Sequence, residues 1–245
     1  MSEEKKIAVQ SPISIERVAF GVRFQPRYEL LDHLGGVIDR ILRLEGSPFN
    51  PNFFPLSTRE PGQHILFNPE TRNELRISNS DVILDINVGD QITSTIDILA
   101  ENYATFVLDS LREVGRLKDI VRYGVLFRLE ECHAALSITP LEHFIQQDFR
   151  DARSLSLRFT KRLPKLEAFA KKHVDDFGNV IYTVKQTEEG EVRISVDYQE
   201  YFMPELNAKE FSQKPFKQFI GRGISYFLGD FQNWLRKIIK KEEAA

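Results

Sequence analysis

Cys132 and His133 stand side by side at the end of an alternating run, and a thiolate beside a histidine base is a known nucleophilic pair. Neighbours on an extended chain point to opposite sides, so these two cannot bond each other directly. A partner would have to come from Glu142 or His143, and the reading taken is a buried or partly buried free thiol with no catalytic residue assigned. His33, His64, His133, His143 and His173 include no pair at the i, i+4 spacing of a helical metal site, so neither metal nor cofactor is expected. Glycine-rich phosphate loops are absent from the sequence, and Gly221-Arg222-Gly223 lies in a helical pattern where it would let another element pack closely. Asp81 falls at a turn and Asp85 alone projects from a polar strand face, so with Asp90 they read as a solvated edge and not as a metal cluster.

A second constellation emerges when the alternating segments are laid on their faces. Opposite the apolar residues lie Arg17, Arg23, Arg76, Arg122, Arg128, Arg158, Arg162, Lys185 and Arg193, against Asp85, Glu130 and Asp197. Guanidinium groups present a planar fork that suits phosphate or carboxylate. The functional account is a contact surface for an acidic protein or a nucleic acid. The structural account is that arginine stems cover apolar neighbours and pair across strands with Asp and Glu. Few aromatics interleave this face, which weakens a stacking platform for single strands.

The elements that must position these residues follow from periodicity. Asp119 to Glu131 alternates Val121, Tyr123, Val125, Phe127 and Leu129 with Arg122, Gly124, Leu126, Arg128 and Glu130, which predicts a central strand. Strands are also expected at Ile15 to Gln25, His64 to Asn68, Glu74 to Ser78, Asp81 to Val88, Leu155 to Leu163, Val180 to Thr187 and Glu191 to Tyr201. Helical spacing appears at Tyr28 to Leu44, softened by Gly35-Gly36, at Thr93 to Leu117, at Pro140 to Phe149, near Leu166 to His173, and at Pro215 to Lys240. Gly46 to Gly62, with four prolines and two asparagines, reads as a long loop.

The order strand, helix, strands in hairpin, long helix occurs twice. Glu74 to Ser78 recurs as Glu191 to Ser195, and Arg23-Phe24 as Arg158-Phe159. In the long helices Ile96, Ala100, Val107 and Leu111 map onto Phe216, Ile220, Phe227 and Phe231. The expected fold is therefore α+β, a duplicated unit with a mostly antiparallel sheet and long helices packed on one face. Its halves are 1–138 and 139–245, or the two merge in one domain.

Composition sets the remaining bounds. With 42% hydrophobic and 28% charged residues, this is ordinary globular composition, and 19 Phe against one Trp predict a phenylalanine-rich core. A net charge of -3 leaves nucleic-acid binding to a local patch. The single cysteine excludes an internal disulfide, the amino terminus carries no apolar run of signal-peptide length, and no stretch is apolar enough to span a bilayer. A cytoplasmic protein without membrane contact is expected.

Three stretches carry a resemblance: IERVAFGVRFQPRYELLDHLGGVIDRI at the start, VRYGVLFRLEE at the midpoint, and EVRISVDYQEYFMPEL followed by FKQFIGRGISYFLGDFQNWLRKI at the end. Over nearly its full length the chain resembles a family of sporadically distributed bacterial proteins of unknown function. The resembling features are the leading strand with Arg23-Phe24, the midpoint strand with Arg122-Tyr123, and the Asp197 strand before the last helix. The sequence departs from the family at Gly124-Val125-Leu126, where the family continues with an Asn after its Arg-Tyr-Ile. The resemblance implies no activity, catalytic residue or cofactor.

Three function classes follow, in order. The first is a non-enzymatic interaction or regulatory subunit of a bacterial complex, the second a nucleic-acid binder using the arginine face, and the third an enzyme with dispersed site residues. A protein partner or a homo-oligomer would be served by Phe49 to Phe54 and the last helix, should their rings remain exposed.

Overall fold

The computed structural model describes residues 15–49, 54–56, 62–88, 94–115, 117–129, 155–163, 177–186, 192–202 and 211–235. Its strands are β1 (Ile15–Phe24), β2 (Phe54–Leu56), β3 (Gln63–Asn68), β4 (Asn73–Ser78), β5 (Asp81–Asn87), β6 (Ile120–Leu129), β7 (Leu155–Leu163), β8 (Phe177–Gln186) and β9 (Val192–Tyr201). They form one nine-stranded antiparallel sheet in the order β2-β3-β4-β5-β1-β6-β9-β8-β7. The β6 to β9 pairing, Arg122↔Tyr201 through Arg128↔Ser195, carries the sheet from the first half of the chain into the second. The fold is α+β, with the helices on one face of the sheet.

Strict alternation builds that face. Val18, Phe20 and Val22 of β1, Leu84 of β5, Tyr123, Val125 and Phe127 of β6, and Val196 and Tyr198 of β9 are all buried beneath the helices. Each such side chain contributes roughly 1.5–3 kcal/mol when taken from water.

Three helices supply the second layer. The first, α1 (Glu29–Arg43), begins with Glu29 and Asp32 and ends with Arg40 and Arg43, charges that complement its macrodipole. It buries Leu30, Leu34, Val37 and Ile41, while Leu31, Ile38 and Leu42 are only partly covered. Gly36 does not interrupt it; a Cβ there would stand 3.5 Å from Val114 Cγ1 on the next helix.

That next helix, α2 (94–115), and the last, α3 (213–235), share a feature that periodicity did not announce. Each contains a π turn, Tyr103–Leu108 in α2 and Phe227–Phe231 in α3. The Asp109 amide reaches back five residues to the Ala104 carbonyl, and the Gln232 amide to that of Phe227. Tyr103, Phe216 and Phe219 meet Phe20, Tyr123 and Tyr198 in a continuous set of ring contacts between the layers. Tyr103 also donates its hydroxyl to the Val82 carbonyl of β5 at 2.8 Å.

Two expectations need correction. The stretch from Gly46 to Gly62 is not all loop, because Phe54–Leu56 pairs with β3 as the edge strand β2. The phenylalanines of α3 and Phe49 are core residues, with Phe216, Phe219, Phe227, Phe231 and Phe49 all buried, so they form no apolar docking patch, while Phe53 and the Phe54 side chain lie outside the described residues. The helices expected at Pro140 to Phe149 and Leu166 to His173 lie outside the described residues. Among the described residues no helix is long and apolar enough to cross a membrane.

Candidate anion-binding face

The same alternation that buries one face sends every other side chain to the opposite one. All nine basic residues singled out by the sequence lie there, because each is out of phase with the buried residues of its own strand or, for Arg158 and Arg162 of β7, in register with residues of β8 that are. Registration places them in rows. Arg158, Thr183, Ser195, Arg128, Arg17 and Asn87 are successive cross-strand partners over six strands. Arg23 stands opposite Arg122, and Lys185 opposite Arg193.

Like charges directly opposite each other are destabilising, so the face needs internal neutralisation. Asp85 provides it at one end, receiving Arg17 Nε at 2.9 Å and Arg128 Nη1 at 2.6 Å. Arg23 approaches Asp81 at 3.6 Å, and Arg76 pairs with Glu74 at 2.5 Å. The aspartates expected as a solvated edge thus hold arginines. Arg23, Arg158, Arg162, Lys185 and Arg193 are the exposed members of the set.

A stack of rings and guanidinium groups crosses four strands. Arg162 of β7 lies 4.4 Å from the Phe177 ring centroid, Phe177 of β8 stacks on Tyr201 of β9 at 4.7 Å and 10°, and Arg122 of β6 lies 5.8 Å from the Tyr201 centroid. Sequence reasoning missed both rings. Tyr201 is in phase with Arg193 and Asp197 and was there to be read, whereas Phe177 precedes the expected start of its strand at Val180.

From this stack a chain of hydrogen bonds runs along β9. Arg122 Nη1 donates to the Tyr201 hydroxyl at 3.5 Å, Tyr201 donates to Gln199 Oε1 at 2.7 Å, and Gln199 Nε2 donates to Asp197. Burial pushes the Asp197 carboxyl up from its ordinary range, opposed by the Arg122 charge, the Gln199 hydrogen bond and the Arg158 charge. Beside it the sheet is bare, since Gly124 of β6 and Gly21 of β1 face each other in register and a Cβ on Gly124 would stand 3.8 Å from Asp197 Oδ1. Arg23, Arg122 and Asp197 therefore gather on adjoining strands.

Cys132, His133, Glu130, Glu142, His143, His173 and Asp90 lie outside the described residues. Among the described residues no group of three or more His, Cys, Asp or Glu is placed to hold a metal ion. Gly223 does permit close packing, and Arg222 is occupied by Glu200 on the helix side. Neither a family model nor a curated protein matches the chain.

Proposed function

We propose that the protein is a non-enzymatic, cytoplasmic interaction or regulatory subunit that receives an acidic protein partner on the basic face of its sheet. In this reading it belongs to the sporadically distributed bacterial family that it resembles. One observation carries the proposal: nine basic side chains from six strands, drawn from both halves of the chain, share one face. The meeting of Arg23, Arg122 and Asp197 on that face supports the family assignment. An acidic protein is favoured over nucleic acid because Phe177 and Tyr201 cover each other and are overlaid by Arg162 and Arg122, which leaves a base little to stack on.

The test uses exposed basic residues of that face. Arg128 and Arg17 are committed to Asp85, so the variant of choice is Arg158→Glu/Lys185→Glu, compared with wild type on immobilised poly-glutamate and on duplex DNA at low and high salt. Expected is retention on poly-glutamate that falls with salt and vanishes in the variant at an unchanged unfolding midpoint. Retention on DNA alone transfers the face to nucleic acid, and retention on neither removes the proposal.

A further inference from the structure

The two ends of the sheet are unlike. At one end β2 has three residues and includes Pro55, and shortness and proline are two ways in which proteins close an edge to further pairing. At the other end β7 uses neither. It runs nine residues without a proline and pairs with β8 from Leu155↔Gln186 to Leu163↔Gly178 with no bulge. Ser156 and the whole run from Arg158 to Arg162 are exposed, and β8 is its one neighbour among the described residues. Such an edge presents outward-pointing amides and carbonyls to any extended chain that approaches.

What β7 carries instead is charge of one sign. Arg158, Lys161 and Arg162 are basic, and no residue from Leu155 to Leu163 is acidic. An incoming basic strand is repelled; an acidic one is drawn in. Arg158 and Arg162 are four residues apart on the outer face, so a strand with acidic side chains at that spacing meets both at once. On the helix side Phe159 is 42% exposed, stacked on Tyr182 at 5.1 Å and set against Trp234 at 5.9 Å. An apolar side chain on the other face of the added strand would cover that ring.

We infer that β7 is a docking edge at which an extended acidic segment of the partner protein adds as a further strand. This rests on the acidic-partner reading of the basic face and names how that partner is held. Main-chain hydrogen bonds supply affinity in such additions, and the alternate side chains supply selectivity.

The probe is a fluorescein-labelled nonapeptide alternating glutamate and valine, beside the same peptide N-methylated at every amide, which keeps its charge and loses its strand hydrogen bonds. Binding to the full chain is read by fluorescence anisotropy, and its place by hydrogen–deuterium exchange. Expected is binding of the unmethylated peptide alone, with exchange over 155–163 slowed by about tenfold or more and no other segment protected. Arg158→Glu/Arg162→Glu, with an unchanged unfolding midpoint, should abolish it. Equal binding of the methylated peptide, or protection elsewhere, overturns strand addition while leaving the basic face intact. Failure of the peptide to bind while poly-glutamate is retained has the same meaning, and failure of both removes the two proposals together. Protection of 155–163 in the free chain that grows with protein concentration assigns the edge to a second copy and overturns the inference.

Discussion

Arg222 of α3 grips Glu200 of β9 with two parallel hydrogen bonds, Nε to Oε1 and Nη2 to Oε2, each 2.8 Å, and the carboxylate has no exposed surface. Glu200 sits on the helix side of β9, opposite the core residue Tyr123, and accepts a third bond from the Tyr198 hydroxyl at 3.0 Å. A charge in that position is tolerated only while paired and bonded. Burial, and then the Glu200 charge, push the hydroxyls of Tyr123 and Tyr198 up. Arg222→Ala strands the carboxylate and should cost about 3 kcal/mol, the low end for such pairs because the guanidinium side is 30% exposed. Urea unfolding checks this, and Glu200→Gln/Arg222→Met should recover most of the loss.

The next residue along the helix, Gly223, brings α3 onto the central strand. A Cβ at that position would stand 2.6 Å from Val125 Cγ1 and 3.4 Å from the Tyr198 ring, so Gly223→Ala must lift the helix from the sheet. The expected cost is about 1–3 kcal/mol. Val125→Ala makes room, so a double-mutant cycle should show a coupling that offsets much of the single-variant losses. Additive losses would mean that the helix does not rest on Val125.

The residues that the sequence placed well are those governed by strict alternation. Tyr123, Val125 and Phe127 against Arg122 and Arg128 admit one phase only, and both faces of β6 follow from it. In α1, by contrast, apolar residues stand in adjacent pairs, Leu30-Leu31, Val37-Ile38 and Ile41-Leu42, so two helical phases fit and packing against Val114 of α2 selects between them. A π turn adds one residue to a turn and hardly disturbs 3 or 4 residue spacing, so Tyr103, Val107 and Leu111 look helical with or without it. Phe54–Leu56 is too short to show a period. Alternation does point Glu200 inward, yet a lone carboxylate in an apolar phase reads as an error until Arg222, from a distant helix, is in place.

On the outer face Asp85 holds together two arginines that would otherwise repel. Arg17 and Arg128 are direct cross-strand partners on β1 and β6, and both donate to the one carboxylate on β5. Asp85→Asn leaves the cations facing each other with a neutral acceptor. All three side chains keep some exposure, which lowers the expected cost to about 1–2 kcal/mol. Repulsion between partly solvated charges is screened, so the gap between wild type and variant should narrow from low to high salt in thermal melts. A salt-independent gap would assign the effect to lost hydrogen-bond geometry instead of charge.

Asp197 should behave in the opposite sense. Burial raises its folded-state pKa above the unfolded value, although Arg122, Gln199 and Arg158 pull the other way. A carboxyl shifted upward favours the fold below its unfolded pKa, and that contribution is lost as pH rises through the folded value. At neutral pH the buried charge is therefore a net cost. Asp197→Asn cannot titrate and still offers Gln199 an acceptor, so it should be more stable than wild type near neutral pH. Its advantage should shrink as pH falls from the raised folded-state value to the ordinary carboxylate range, and be gone below it. Urea midpoints for both proteins across that range read the difference directly, and an advantage that holds constant, or a loss of stability at neutral pH, would show that the arginines outweigh the burial. Poly-glutamate retention by the same variant should rise, since one carboxylate fewer then opposes the basic side chains around it.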